Sequence, residues 1–402
     1  MKDSRQIYAQ AHDLSAQMIA WRRAIHQQPE VGLYLPHTAH LVEQALKEMG
    51  LSPQHIGGDD VTGVTALITG KHPGPTILLR ADMDALPLQE ENDLPFRSQV
   101  PGKSHMCGHD IHTAMLLGAA AILVTNRDDM VGNVKLMFQP GEEGYNGASH
   151  MIADGLLENP RVDAAIAMHC LTGSDWETGT ILCATQGLAK ASSDSFKIEI
   201  RGRGTHGATP EHGIDVVNIL SHVTEGLYAI RSRELSPFEP AILSVCQIHA
   251  GEADNILPDS GFLSGTFRTF REDARTHMAQ RITEIAKQTA AAFGGEALVS
   301  FCGGLHPTLN DPALCVQVSG YTQELMGEKA ASIGPVMGAE DFSEISCRLP
   351  SVYLDLSFGS AKEGYTEAVH SPRCIFNEQA LPVGAACYAW CALRWLEDRQ
   401  AQ

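Results

Sequence analysis

Five short clusters in this chain carry side chains that bind metals or move protons, and each follows an apolar run or opens a helix-like stretch. Open α/β sheets place their sites at such points. The first is Arg80-Ala81-Asp82-Met83-Asp84, where two aspartates at a strand's carboxyl end could bind or orient a metal, or form a solvated turn. In the second, Met106-Cys107-Gly108-His109-Asp110-Ile111-His112, Cys107 and His109 suit zinc-like borderline cations. Gly108 lets the backbone bend so that both could face one point, and a helix N-terminus there would favour a lowered thiol pKa. In the third, Phe138-Gln139-Pro140-Gly141-Glu142-Glu143-Gly144, one glutamate could ligate a metal while its neighbour serves as general base. A solvated acidic loop is the alternative, although Pro140, Gly141 and Gly144 fix an unusual backbone for one. The fourth, Met168-His169-Cys170, ends an apolar run, and the fifth, His370-Ser371-Pro372, lies far downstream; each alone says little. Together the clusters supply one cysteine, three histidines and a glutamate, with a glutamate and an aspartate to spare. That inventory suits two divalent ions bridged by one oxygen.

The elements that must position these groups alternate in kind. Helical spacing predicts helices over 13–28 and 38–49, and short apolar runs predict strands over 64–69 and 76–81. An apolar helix over 113–124, a strand over 134–139, a helix over 148–157 and a strand over 164–168 follow. This alternation implies an α/β domain with a mostly parallel sheet flanked by helices. Near Gly187 the texture changes. Residues 195–201 alternate as a half-exposed strand should. A helix over 215–231, strands over 242–248 and 261–269, and a helix over 275–293 complete a small α+β domain. The α/β pattern then resumes and closes with a helix over 382–396. The expected architecture is a discontinuous α/β domain, residues 1–187 and 304–402, with an inserted α+β domain, residues 188–303.

With 402 residues, two domains are the default. The 29 basic and 48 acidic residues leave a net charge of −19, which repels phosphate backbones and anionic lipids, so neither nucleic acid nor a membrane is an expected partner. No apolar leader or membrane-length segment is evident, and the 10 cysteines are expected as reduced thiols in the cytoplasm. Cys387 and Cys391 read as packed thiols, and Trp21, Trp390 and Trp395 as core or interface. His212, His222 and His249 lack a supporting constellation. His112 could stand behind a metal ligand or serve in capping and packing.

The order and spacing of several motifs resemble the aminoacylase/carboxypeptidase-like family of co-catalytic metallopeptidases. More narrowly, they resemble its amidohydrolase branch of hippurate hydrolases, N-acyl-amino-acid amidohydrolases and auxin-conjugate hydrolases. The motifs are Trp-Arg-Arg-Ala-Ile-His-Gln-Gln-Pro-Glu-Val-Gly from Trp21, Arg-Ala-Asp-Met-Asp-Ala-Leu-Pro from Arg80, Cys-Gly-His-Asp from Cys107 and Gln-Pro-Gly-Glu-Glu-Gly from Gln139. Gly-Arg-Gly-Thr-His-Gly-Ala-Thr-Pro from Gly202, Gly-Ala-Glu-Asp-Phe from Gly338 and His-Ser-Pro from His370 follow. The resemblance implies Cys107, His109, Glu143, His169 and His370 as ligands of two metal ions, with the Cys107 thiolate bridging. Zinc, manganese, nickel and cobalt are not distinguished. It implies Glu142 as general base and Asp84 as the group that orients a ligand. Asp82 stands where many siblings carry a ligand histidine and ranks below the five. The inserted domain is implied to act as a lid and to form a homodimer or higher homo-oligomer. His206 would reach the reacting carbonyl, while Asn255 and Arg268 grip a substrate carboxylate. The chain departs from the branch at Glu211, where a histidine commonly follows the motif's proline, and at Gly141, often alanine.

The expected reaction is hydrolysis of the amide bond of a small N-acyl amino acid by metal-held water, with a dipeptidase or carboxypeptidase acting on short peptides as the alternative. A non-catalytic relative would have lost Glu142 or several ligands, and all are present.

Overall fold

The computed structural model describes residues 3–185 and 187–400. The chain divides into two compact units, Met1–Ala189 with Leu309–Gly334 and Glu344–Gln402, and Lys190–Thr308 with Pro335–Ser343. The stretch Pro335–Ser343, expected with the α/β domain, groups with the second unit. The reason is hydrogen bonding: the Ala191 amide donates to Val336 O and Gly338 O, and Arg268 donates to Met337 O.

The first unit opens with helices α1 (Ser4–Asp13), α2 (Ser15–Gln27) and α3 (Pro36–Glu48). There follow β1 (Gln54–Ile56), β2 (Gly63–Thr69), β3 (His72–Asp82), α4 (His109–Asn126), β4 (Val131–Gln139), α5 (Gly147–Ala153), β5 (Ala164–Leu171) and β6 (Ile181–Cys183). The sheet order is β1, β2, β4, β3, β5, the strand Ser351–Ser357, β6 and the strand Ala330–Ser332. Its four central strands, β4, β3, β5 and Ser351–Ser357, run parallel. A parallel strand is buried on both faces, and accordingly every residue of Ser351–Ser357 is buried. α4 is apolar nearly all round and packs between the sheet, α2 and the closing helix Leu381–Gln400.

Register places the chemistry. Asp82, the last residue of β3, pairs with Gln139, the last of β4, and Arg80 pairs with Ala167 of β5. Three carboxyl ends therefore lie side by side, carrying Asp82 and Asp84, the Glu142–Glu143 loop and His169 to one edge of the sheet.

The second unit is a four-stranded antiparallel sheet in the order Ala241–Ala250, Ser260–Thr269, Ser193–Arg201, Glu296–Leu305. Phe196, Ile198 and Ile200 face inward at strand spacing and meet Val223 and Leu227 of the helix Val216–Ala229, and Met278 and Ile282 of the helix Glu272–Ala292. A short ribbon pairs His206 with Ile256. Among the described residues no helix is long and apolar enough to cross a membrane.

Candidate metal centre

α4 begins at His109, four residues before the apolar run, because Gly108 supplies its N-cap with φ of 82°. A Cβ at Gly108 would lie 2.2 Å from Cys170 Sγ. Only glycine fits that turn, and the turn places Cys107 and His109 on one side of it. The β4–α5 loop is bent likewise: Gly141 and Gly144 have φ of 68° and 86°. His370 also holds a positive φ, 68°, unusual for a side-chain-bearing residue, and its amide donates to Met106 O at 2.8 Å, beside Cys107.

These turns converge on the Cys107 thiol. His169 Nε2 lies 3.4 Å and His370 Nε2 3.3 Å from Cys107 Sγ. Glu143 Oε1 is 3.2 Å from His370 Nε2 and 3.9 Å from His109 Nε2. Two ligand groups share the sulfur: Cys107 with His109 and His169, and Cys107 with Glu143 and His370, each with its ligand atoms within 4.8 Å of one another. All five residues belong to the first unit.

Asp84 fastens the arrangement from below. Its carboxylate accepts the amides of Glu142 and Glu143, each at 3.0 Å, and sits 3.3 Å from His109 Nδ1. The His109 proton therefore belongs on Nδ1, which frees Nε2 for a cation. His169 follows the same logic: its Nδ1 donates to Cys170 O at 2.7 Å, directing Nε2 toward Cys107. Asp82 borders the group, with Oδ2 3.8 Å from His109 Nε2, but its oxygens are engaged by Arg80 at 2.7 Å and by His112 Nδ1.

Electrostatics mark the site as one built for cations. Burial, and then the charges of Glu143 and Glu142, push the Cys107 thiol well above its ordinary pKa. Burial disfavours protonated His109, yet Asp82, Asp84 and Glu143 outweigh it and raise this imidazole to about 10. Burial likewise opposes ionised Asp82, but Arg80, His109 and His112 hold it well below the usual carboxylate range. Asp84 is raised, chiefly by burial. The donor set fits a pair of divalent ions for a further reason: His109 Nε2 and Glu143 Oε1 are both buried without a hydrogen bond. Such orphaned atoms are costly, and a cation in each of the two groups would satisfy them.

The remaining expected residues lie in the second unit. Gly207 N donates to Asn255 O at 2.8 Å, so His206 and Asn255 are neighbours on the ribbon, and both are exposed. His206 Nδ1 accepts the Ala208 amide at 3.0 Å, so Nε2 carries the proton. Arg268 is half-buried on Ser260–Thr269, with Nη1 donating to Met337 O at 2.9 Å.

Sequence reasoning passed over a second buried network in the first unit. Arg22 Nε and His26 Nδ1 both reach Asp110 Oδ2 at 2.8 Å, and His26 Nε2 lies 3.3 Å from Glu90. Arg22 and His26 stand four apart on α2, and Asp110 directly follows His109. That helical spacing of two cations was the available signal.

Comparison with known proteins bears on this geometry. The model of the peptidase family M20/M25/M40 matches residues 78–394. Thermostable carboxypeptidase 1 of Saccharolobus solfataricus is 35% identical over 94% of this chain and 95% of its own length. IAA-amino acid hydrolase ILR1-like 4 of Arabidopsis thaliana is also 35% identical, over 98% of this chain and 89% of its own. Among solved structures, the YXEP protein of Bacillus subtilis, described as a dinuclear metal binding peptidase, superposes with a TM-score of 0.83 at 30% identity, covering 96% of this chain and 99% of that one.

Proposed function

The chain belongs to the peptidase family M20/M25/M40 and is a metal-dependent hydrolase of amide bonds; on that footing we propose that it cleaves N-acyl amino acids, using Cys107, His109, Glu143, His169 and His370 to hold two divalent ions. The observation that carries this reading is the pair of ligand groups sharing Cys107 Sγ. When bound, such ions polarise a carbonyl and lower the pKa of water toward about 7.

The chain's own residues do the rest. Glu142, its amide fixed by Asp84, takes a proton from the attacking water and delivers it to the departing amine as the carbon–nitrogen bond breaks. His206 offers its Nε2 proton to the carbonyl oxygen as charge develops there. Asn255 and Arg268 bind the amino acid's carboxylate, Arg268 in a two-pronged pair. Asp84 orients His109 and the glutamate loop together.

The IAA-amino acid hydrolase relative supports an acyl amino acid as substrate, and the carboxypeptidase relative supports a second reading, cleavage of short peptides. Both need the same metal centre. Metal analysis alongside a panel of N-acyl amino acids and dipeptides separates them. Two ions per chain with turnover of the acyl amino acids is expected; turnover confined to dipeptides favours the second reading, and fewer than two ions removes the ligand assignment.

We propose further that the second unit joins copies of this chain into a homodimer. Ala241–Ala250 and Glu296–Leu305 are the free edges of its sheet, and Ile242, Ile248, Leu298 and Phe301 on them are exposed. Edge strands of this kind recruit partners. Light scattering that finds only monomers would refute it.

A further inference from the structure

Behind the metal centre lies a chain of buried groups that the reaction does not touch. Arg80 and Asp82, two residues apart near the end of β3, point to the same side and pair at 2.7 Å. The other Asp82 oxygen meets Nδ1 of His112, on the first turn of α4. His112 Nε2 accepts the backbone amide of Cys170 at 2.8 Å. Every one of these side chains is buried.

The topology explains the last bond. β3 pairs with β5 only through Arg80 and Ala167, whereas β5 runs on to Leu171. The Cys170 amide lies beyond that pairing and donates to His112 Nε2, and a buried N–H left without an acceptor costs about 1–3 kcal/mol. The imidazole serves as that acceptor. Its two nitrogens are thereby committed: Nδ1 carries the proton toward Asp82, and Nε2 receives one from Cys170. His112 therefore has no lone pair left for a metal, although it lies close to His109, His169 and Asp82.

Cys170 is also the residue that aims a ligand. Its carbonyl receives His169 Nδ1–H at 2.7 Å, which sets both the tautomer and the direction of His169 Nε2. One residue is thus held at its amide by His112 and holds His169 at its carbonyl. In addition, the His112 ring stacks on His109 at 5.3 Å and meets His169 edge-on at 4.6 Å.

We propose that His112 is a positioning residue for the metal centre: the relay Arg80–Asp82–His112–Cys170 backbone fixes the end of β5, and through it the aim of His169. This inference rests on the reading of His169 and Cys107 as ligands. It explains why aspartate at position 82 serves this chain: Asp82 holds the imidazole rather than the ion.

Two substitutions at one position test it. In His112→Asn the amide nitrogen can still donate to Asp82, but nothing reaches the Cys170 amide. In His112→Gln the longer side chain can place an oxygen near the former Nε2. The measurements are Co2+ and Zn2+ dissociation constants, by chelator competition, and the visible absorption of the Co2+-loaded protein. His112→Asn should weaken at least one ion by about 10–100-fold and shift the cobalt bands, and His112→Gln should recover most of both. His169→Ala serves as the control for the ligand reading. If His169→Ala loses an ion while His112→Asn keeps affinity within about twofold and leaves the spectrum unchanged, the relay is wrong and the ligand reading stands. If His169→Ala itself keeps both ions at full affinity, the ligand reading falls, and this inference with it. Should His112→Asn not fold, Asp82→Asn takes its place, with weakened affinity expected and unchanged affinity overturning the relay.

Discussion

Replacing Gly108 with alanine should damage the metal centre. Two costs arise and they can be separated. The backbone at Gly108 has φ of 82°, and an L-residue in that region costs roughly 1–2 kcal/mol. The new Cβ would also sit 2.2 Å from Cys170 Sγ and 3.1 Å from Phe376 Cζ. The sulfur is buried and donates to Cys107 O at 3.3 Å, so it cannot retreat freely. Overpacking of this kind costs about 1–3 kcal/mol. The sum is about 2–5 kcal/mol. Because Gly108 separates Cys107 from His109, relaxation must pull these two proposed ligands apart or displace the strand that carries His169.

At 1.4 kcal/mol per tenfold, a loss of that size lowers kcat/KM or metal affinity by roughly 30-fold to several thousand-fold. The decisive assay measures the Gly108→Ala effect twice, in the natural background and in Cys170→Ala. Removing the sulfur abolishes the closest contact but leaves the dihedral strain, so the effect should shrink to about 1–2 kcal/mol. Equal losses in both backgrounds would show that the sulfur contact is not the cause. No loss in either would refute the argument that the Gly108 turn sets the Cys107–His109 geometry.

Three shorter predictions follow from the same coordinates. Glu142→Gln should retain both ions while turnover falls by about 100-fold or more; undiminished turnover would remove Glu142 as the base. Arg268→Ala should raise KM, or lower kcat/KM, for acyl amino acids and spare analogues lacking the carboxylate; equal effects on both would exclude a carboxylate grip. The pKa of His26 is raised: burial opposes the charge and Arg22 repels it, but Asp110 and Glu90 outweigh both. Its stabilising contribution is therefore complete below the unfolded value of about 6.5 and fades as pH climbs through the higher folded one. The Tm gap between the natural chain and His26→Gln should be widest in mild acid and narrow toward alkaline pH; a constant gap would argue against a charged His26.

The sequence was most legible where local chemistry and fold agree. Apolar runs ending in Asp, Glu or His announced β3, β4 and β5, and parallel register then carried those ends to one edge. Elsewhere tertiary context decided. α4 was expected from Thr113 because His109-Asp110-Ile111-His112 is polar, yet the helix starts at His109, since the polar residues have buried partners. The helix expected over 13–28 is α2, whereas α1, Ser4–Asp13, precedes it and was not expected. Ser351–Ser357 lies at the sheet's centre, but seven residues including Asp355 give too short a period to read. Glu296–Leu305 escaped notice because it is an edge strand with little buried and a bulge between Cys302 and Leu305. Asp82 could not be assigned from sequence at all: its partners, Arg80 and His112, are 2 and 30 positions away, and only the fold shows that both are taken up with it.

The balance of charge inside the centre clarifies an apparent conflict in the sequence. A chain of net charge −19 is a poor host for an anionic substrate. The centre itself gathers Asp82, Asp84, Glu142 and Glu143, with Arg80 paired to one of them. Two divalent ions add four positive charges, about as many as the carboxylates and a Cys107 thiolate withdraw, so the loaded site presents little net negative charge to a carboxylate. The acidity of the centre therefore serves ion capture, while attraction of the substrate's carboxylate falls to a separate cation, the role proposed for Arg268. On this argument raised salt should alter KM through Arg268 more than through the metal centre, because exposed or half-buried charges are screened while buried ones are not. A salt dependence of KM that persists unchanged in Arg268→Ala would contradict that division.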